Sequence, residues 1–392
     1  MRGKTRLAKR LDKISPSSTL VITSRAKKLR AEGKNVISFA AGEPDFDTPD
    51  FIKDAAVEAI KSGFTKYTPS TGIPELKKLI CEKFKRDNGL DYKPEQVVVS
   101  CGAKHSIFNT MFVLVDPGDE VLIPSPYWVS YPEMVNLCGG KPRFIKTFAG
   151  NSFKVTPKDL ERNARAKTKL FVLNSPSNPT GCVYERWELL EIAEICARKN
   201  IFVISDEIYE NIIFDGLKHE SIAAANPEIY NLTVTVNGLS KSHSMTGWRI
   251  GYLGAPADIA EAISRLQDHS TSNPSSISQK AAQAALADTA SGFSKKMAAE
   301  FQSRRDYAVN RLKKIKKLNY IFPRGAFYIF CGIAKTKLDS GTFAARVLDE
   351  ALVAVIPGSG FGKDDYIRMS FATGIKQIEE GMNRIEEWVN RL

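Results

Sequence analysis

The chain has 392 residues, of which 43% are hydrophobic and 26% charged. That is enough to bury a core unaided and, at ~150 residues each, to make about two or three domains. The composition excludes a disordered, collagen-like or disulfide-scaffold protein, and no apolar run approaches the ~18 residues of a membrane span. The six cysteines are scattered, without a C-x-x-C pair, so no metal site is expected and reduced thiols in the cytoplasm are the simplest reading. The formal net charge is +12. The basic residues are dispersed, however. The densest groups, at 2–13 and 313–317, have the spacing of solvated helix faces, so neither a nucleic-acid nor a membrane partner is expected.

In chain order, short β-branched apolar runs at 97–100, 120–123, 170–173, 201–204, 232–236 and 250–254 read as strands buried on both faces. Helical patterns lie between several of them, such as 186–199 with its stripe of Leu189, Leu190, Ala193, Ile195 and Cys196. Strands alternating with helices predict an α/β fold with a mostly parallel central sheet. The tail reads differently. A long helix at 293–318 precedes strands at 326–331, 353–356 and 366–371 and a closing helix at 375–392. We therefore expect a large domain over 49–285 and a smaller α+β domain formed by 286–392 with the N-terminal segment 1–48.

Ligands of open α/β sheets bind beyond the carboxyl ends of the strands, so the residues after each run carry most interest. Cys101-Gly102-Ala103-Lys104 opens a helix whose N–H groups can receive an anion. The loop 174–181 contains Asn178, whose amide both donates and accepts. Asp206 and Tyr209 follow the run at 201–204; an acid at the end of a buried strand is costly unless paired. The loop after 232–236 holds Ser240 and Lys241, with Arg249 eight residues on. A partly desolvated lysine can form a Schiff base, and an arginine fork suits a phosphate. Taken singly, each feature also has an ordinary reading as a tight turn, a loop or a helix cap. Together they are the protein side of a pyridoxal phosphate site.

The motifs that carry this pattern are A-A-G-E-P-D-F-D-T-P (40–49), K-Y-T-P-S-T-G-I-P-E-L (66–76), G-A-K (102–104), P-Y-W-V-S-Y-P-E (126–133), N-S-P-S-N-P-T-G (174–181), S-D-E-I-Y-E (205–210), S-K-S-H-S-M-T-G-W-R-I-G-Y (240–252), P-R-G-A-F-Y (323–328) and Y-I-R-M-S-F-A (366–372). In this order they resemble the class I aminotransferases among the fold-type I pyridoxal phosphate enzymes, and within them the bacterial aspartate aminotransferase subgroup. The resemblance spans essentially the whole chain.

By that resemblance, Lys241 holds pyridoxal 5'-phosphate covalently and moves the reaction's proton. Asp206 pairs with the ring nitrogen, Tyr209 and Asn178 bond the ring oxygen, and Trp128 stacks on the ring. Gly102, Ala103, Lys104, Ser240 and Arg249 surround the phosphate, which Tyr67 reaches from the partner of a homodimer with shared active sites. Arg368 takes the substrate α-carboxylate with Asn178, Trp128 and the backbone of Gly42. Lys104 takes a distal carboxylate, and Thr19 with Lys104 matches members that also use prephenate. The resemblance thus implies a cytoplasmic enzyme moving an amino group between L-aspartate and 2-oxoglutarate. Alanine- or aromatic-specific aminotransferases and lyases share the fold and stay open as alternatives. Transcription regulators that borrow the fold carry a helix-turn-helix domain for which no room is expected before residue 36.

Overall fold

The structure, a computed structural model, describes residues 8–14, 18–287 and 292–392, without the side chains of residues 9 and 18–20. Its centre is a seven-stranded sheet made of β1 (Val97–Ser100), β2 (Glu120–Ser125), β3 (Lys141–Lys146), β4 (Thr168–Asn174), β5 (Phe202–Asp206), β6 (Thr233–Gly238) and β7 (Gly251–Gly254). The spatial order is β1-β7-β6-β5-β4-β2-β3. Neighbours from β6 through β3 run parallel, while β7 is antiparallel to both β1 and β6. Strands β1, β6 and β7 are buried along their whole length and β5 from Val203 on, as expected when helices cover both faces.

Strand β3 was not expected from the sequence. In its sequence Lys141-Pro-Arg-Phe-Ile-Lys146 only Ile145 is buried, and the strand closes one edge of the sheet. Charged residues and proline are how an edge strand avoids pairing with another chain, and they also erase the apolar run that marks a buried strand.

Helices α1 (Ala103–Leu114), α2 (Ser130–Leu137) and α3 (Arg186–Arg198) belong to this layered region. Farther along come α4 (Phe293–Leu312) and a second, four-stranded antiparallel sheet of β8 (Asn319–Ile321), β9 (Tyr328–Gly332), β10 (Ile356–Pro357) and β11 (Tyr366–Ser370), in the order β10-β11-β9-β8. The N-terminal pair Ile37–Ser38 joins this region by pairing in parallel with Val353–Ala354. Helix α5 (Ile375–Arg391) closes it, with Ile378, Met382, Ile385, Trp388 and Val389 buried on one face. Its Trp388 packs edge-on against Phe343 at 5.0 Å.

The helix expected over 293–318 ends at Leu312. Beyond it the backbone tightens into short turns, Lys314 N–H to Arg311 and Leu318 N–H to Ile315, that bury Ile315 and Leu318 three residues apart. The lysines at 313–317 therefore lie on a turn and not on the helix face read from their spacing. Near the other end, Lys9–Lys13 forms a short 3-10 helix. Among the described residues, no helix is long and apolar enough to cross a membrane.

Candidate active site

Three parallel strands end side by side and deliver the site. β5 pairs in register with β4, placing Asn174 opposite Asp206, and with β6, whose end leads into Ser240 and Lys241. Helix α1 begins beyond β1, and β11 brings Arg368 from the smaller sheet. A cavity of about 610 Å³ lies between them. Its walls include Gly42, Ala103, Lys104, Trp128, Asn178, Asp206, Tyr209, Ser240, Lys241, Arg249 and Arg368, eleven of the residues singled out from the sequence.

Asp206 is buried, and its Oδ2 accepts the Tyr131 hydroxyl at 2.6 Å while Oδ1 takes a longer bond of 3.3 Å from Ile208 N–H. Burial pushes its pKa up to about 6, against the pull of the Tyr131 bond. Lys241 Nζ donates to the Gly42 carbonyl at 2.7 Å. Burial pushes its pKa down to about 8; Glu43 works against this and the positive Arg368 and Arg249 reinforce it. An amine in this range is a nucleophile near neutral pH.

The anion cradle depends on two glycines. Gly102 sits at φ +91°, and a Cβ there would meet Arg249 Nη2 at 2.5 Å. A Cβ on Gly251 would run into the backbone of Gly102 and Ala103. Without those atoms the Arg249 fork lies against the start of α1, tethered to the carbonyls of Thr246 (2.9 Å) and Cys101 (3.3 Å). The first N–H groups of α1 have no partner within the helix, and the helix dipole adds positive potential there.

Arg368 is 2% exposed. One guanidinium nitrogen donates to Asn178 Oδ1 and another to the Ala40 carbonyl, both at 3.1 Å, and the group lies 4.3 Å from the centre of the Tyr328 ring. Among the described residues its Nε has no partner and no carboxylate pairs with it. Burial lowers its pKa. A buried cation without a counter-ion is costly unless a ligand supplies one.

Trp128 carries the Lys104 ammonium 4.8 Å from its ring centre, and burial with the nearby Arg249 lowers the Lys104 pKa. Of the other expected residues, Gly102 stands at the start of α1 beside Arg249 without itself lining the cavity. Tyr67 is 91% exposed on the surface. The side chain of Thr19 lies outside the described residues.

Among the wall residues given no role from the sequence, three make contacts that bear on the site. Tyr131 holds Asp206, Tyr328 bonds the Tyr209 hydroxyl at 2.9 Å beneath Arg368, and Glu43 accepts from Thr246 at 2.7 Å. Tyr131 follows Trp128 by three residues, one helical turn, and Tyr328 ends the P-R-G-A-F-Y motif. Both signals were present, but an aromatic beside a strand or helix start reads first as core.

A family model described as "Aminotransferase class I and II" matches residues 34–385. The aspartate aminotransferase of Geobacillus stearothermophilus is 47% identical over 98% of this chain and 99% of its own length. A probable aspartate/prephenate aminotransferase of Aquifex aeolicus is 45% identical, covering 97% and 98%. The crystal structure of the Rhizobium meliloti aspartate aminotransferase superposes with a TM-score of 0.95 at 43% identity, over 99% of both chains. Its fold, an α/β large region with a mostly parallel sheet and a smaller α+β region, is therefore the fold of this chain. A match that runs through every wall of the cavity, from Gly42 to Arg368, leaves no part of the site outside it: the chain belongs to the class I and II aminotransferase family.

Proposed function

We propose that this enzyme uses pyridoxal 5'-phosphate to move an amino group between L-aspartate and 2-oxoglutarate, in the cytoplasm and as a homodimer. The observation that carries the reading is Arg368, a buried guanidinium with no carboxylate partner among the described residues, facing the same cavity as Lys241 and Asp206. The cavity also fits the cofactor. The space left by Gly102 and Gly251 beside Arg249 suits a phosphate, and Asp206 is a buried acid whose ionised form calls for a cationic partner.

When bound, the cofactor supplies an aldehyde that condenses with amines and a protonated ring that draws electrons from the substrate Cα. The chain's residues do the rest. Lys241 is the amine that would hold the cofactor, and its free Nζ would take the proton from the substrate Cα. Asp206 would pair with the ring nitrogen, and Tyr209 with the Asn178 amide would bond the ring oxygen. Asn178 can serve both ends, because its Oδ1 accepts from Arg368 and its NH₂ remains to donate. Trp128 would stack on the ring. Gly102, Ala103, Ser240 and Arg249 hold the phosphate, with Tyr67 from the partner; its 91% exposure in a single chain supports a role across an interface. Arg368, with Trp128 and the backbone of Gly42, orients the α-carboxylate so that the Cα proton meets Nζ.

Lys104 is the side-chain cation for a distal carboxylate. Prephenate is a second acceptor, supported by the aspartate/prephenate names of relatives such as that of Aquifex aeolicus. The cytoplasmic assignment is supported by six free cysteines.

The test is a half-reaction. The holoenzyme is mixed with L-aspartate alone while its visible absorption is followed. Loss of the band, and its return on adding 2-oxoglutarate, is the expected result. A band that aspartate leaves unchanged would sink the substrate assignment, and Lys241→Ala should show no band at all.

A further inference from the structure

The aminotransfer reading leaves Tyr131 without a role. The geometry points to Tyr131 as a positioning residue that keeps Asp206 ionised opposite the cofactor's ring nitrogen. This inference rests on the reading of Asp206 as that nitrogen's counter-ion.

Four observations carry it. The Tyr131 hydroxyl donates to Asp206 Oδ2 at 2.6 Å, a short charge-assisted bond between two buried side chains. Among the described residues it is the one side chain that donates to this carboxylate; the other bond, from Ile208 N–H to Oδ1, is longer at 3.3 Å. Oδ1 therefore keeps the capacity for a second, stronger donor, while Oδ2 is committed. Tyr131 is also fixed in place. Its N–H bonds the Trp128 carbonyl at 3.1 Å, and its ring meets the Trp128 ring edge-on at 5.3 Å and 83°. One aromatic pair, a helical turn apart, thus joins the residue that covers the ring to the acid that charges it.

Burial works to neutralise Asp206. Glu207 acts in the same direction, and Lys241 and the Tyr131 bond oppose them. Without the hydroxyl the balance moves toward the protonated acid, and the ring nitrogen loses its counter-ion. Electron withdrawal by the ring then falls, and the nitrogen that joins Lys241 to the cofactor holds its own proton to higher pH.

The experiment compares the holoenzyme with Tyr131→Phe by titrating the bound cofactor's visible absorption against pH and measuring cofactor affinity by dialysis. A hydrogen bond to a charged group predicts a midpoint about one pH unit higher and affinity about tenfold weaker. In an Asp206→Asn background, the same tyrosine change should leave the midpoint where Asp206→Asn puts it. An unmoved midpoint in Tyr131→Phe would overturn the proposal, even with weakened binding, because that is what a packing role alone produces. So would an equal shift in the Asp206→Asn background. Tyr131→Met, which also lacks the donor, is read the same way if the phenylalanine chain does not fold. A wild-type protein that develops no band with pyridoxal phosphate fails at the earlier step, and refutes the cofactor reading and this proposal together.

Discussion

The end of β5 and the turn that follows it send their acids to two destinations. Asp206 lines the cavity, together with Tyr209, Lys241 and Arg368. Glu207 and Glu210 join a second buried cluster with Lys83, Asn88 and His219. In that cluster each charge is matched within the chain. Lys83 pairs with Glu210 and donates to Asn88 Oδ1 at 2.6 Å. The Asn88 amide bridges Glu207 (2.9 Å) and Glu210 (2.8 Å), and His219 Nε2 meets Glu207 at 2.8 Å. Ser205 and Ser221 complete Glu207 at 2.7 and 2.6 Å. Burial raises the Glu207 pKa, but His219 and the two hydroxyls outweigh it and hold the carboxyl below its usual range. In the cavity, by contrast, no counter-ion for Arg368 lies among the described residues. Burial of charge alone does not distinguish a structural network from a binding site; whether the charge is paired does.

The same replacement at the two places should therefore act with opposite sign. Arg368→Met is expected to lower kcat/KM for aspartate by about a hundredfold or more, the loss of a charge-assisted carboxylate contact. It should also leave the ligand-free fold unchanged or more stable, since an unpaired buried charge is removed. Lys83→Met should destabilise the fold by about 3–5 kcal/mol, because it leaves Glu210 buried without its cation. Urea unfolding of the two cofactor-free variants checks both signs, and destabilisation by both would erase the distinction drawn here. A smaller effect is expected at the rim. Lys104→Ala should weaken aspartate by about tenfold while sparing alanine, since one point charge acts on the distal carboxylate alone. Steady-state kinetics with both donors decides it, and an equal loss would remove Lys104 from the specificity pocket.

This contrast also explains how much could be read from the sequence. The cavity residues sit in loops directly after apolar strand runs, so a strand reading leads straight to Asn178, Asp206 and Lys241. Arg368 sits inside the strand β11 and was reached only through its motif. The paired cluster was invisible, because Lys83, Glu207 and His219 come from distant segments and each reads as a solvated residue. Strand β3 was lost for the same reason: its charges describe an edge and hide a strand. The long helix was overextended because lysines at helical spacing and a helix-terminating turn look alike when the buried faces of Ile315 and Leu318 are unknown.

The environment of Lys241 gives the last prediction its sign. An ordinary lysine with pKa 10.5 is deprotonated in only about one molecule in a thousand at pH 7.5. With its pKa pushed down to about 8, Lys241 offers about a quarter of its population as free amine at that pH. Only the free amine attacks an aldehyde. The rate at which cofactor-free protein captures pyridoxal phosphate should therefore rise with pH, reach half its maximum near 8 and level off about one unit higher. Replacing Arg368 by methionine removes one of the positive charges that depress Lys241, so the half-maximum should move toward higher pH. A capture rate still climbing steadily beyond pH 10 would mean that Lys241 keeps an ordinary pKa, and that the cavity does not prepare it for attack.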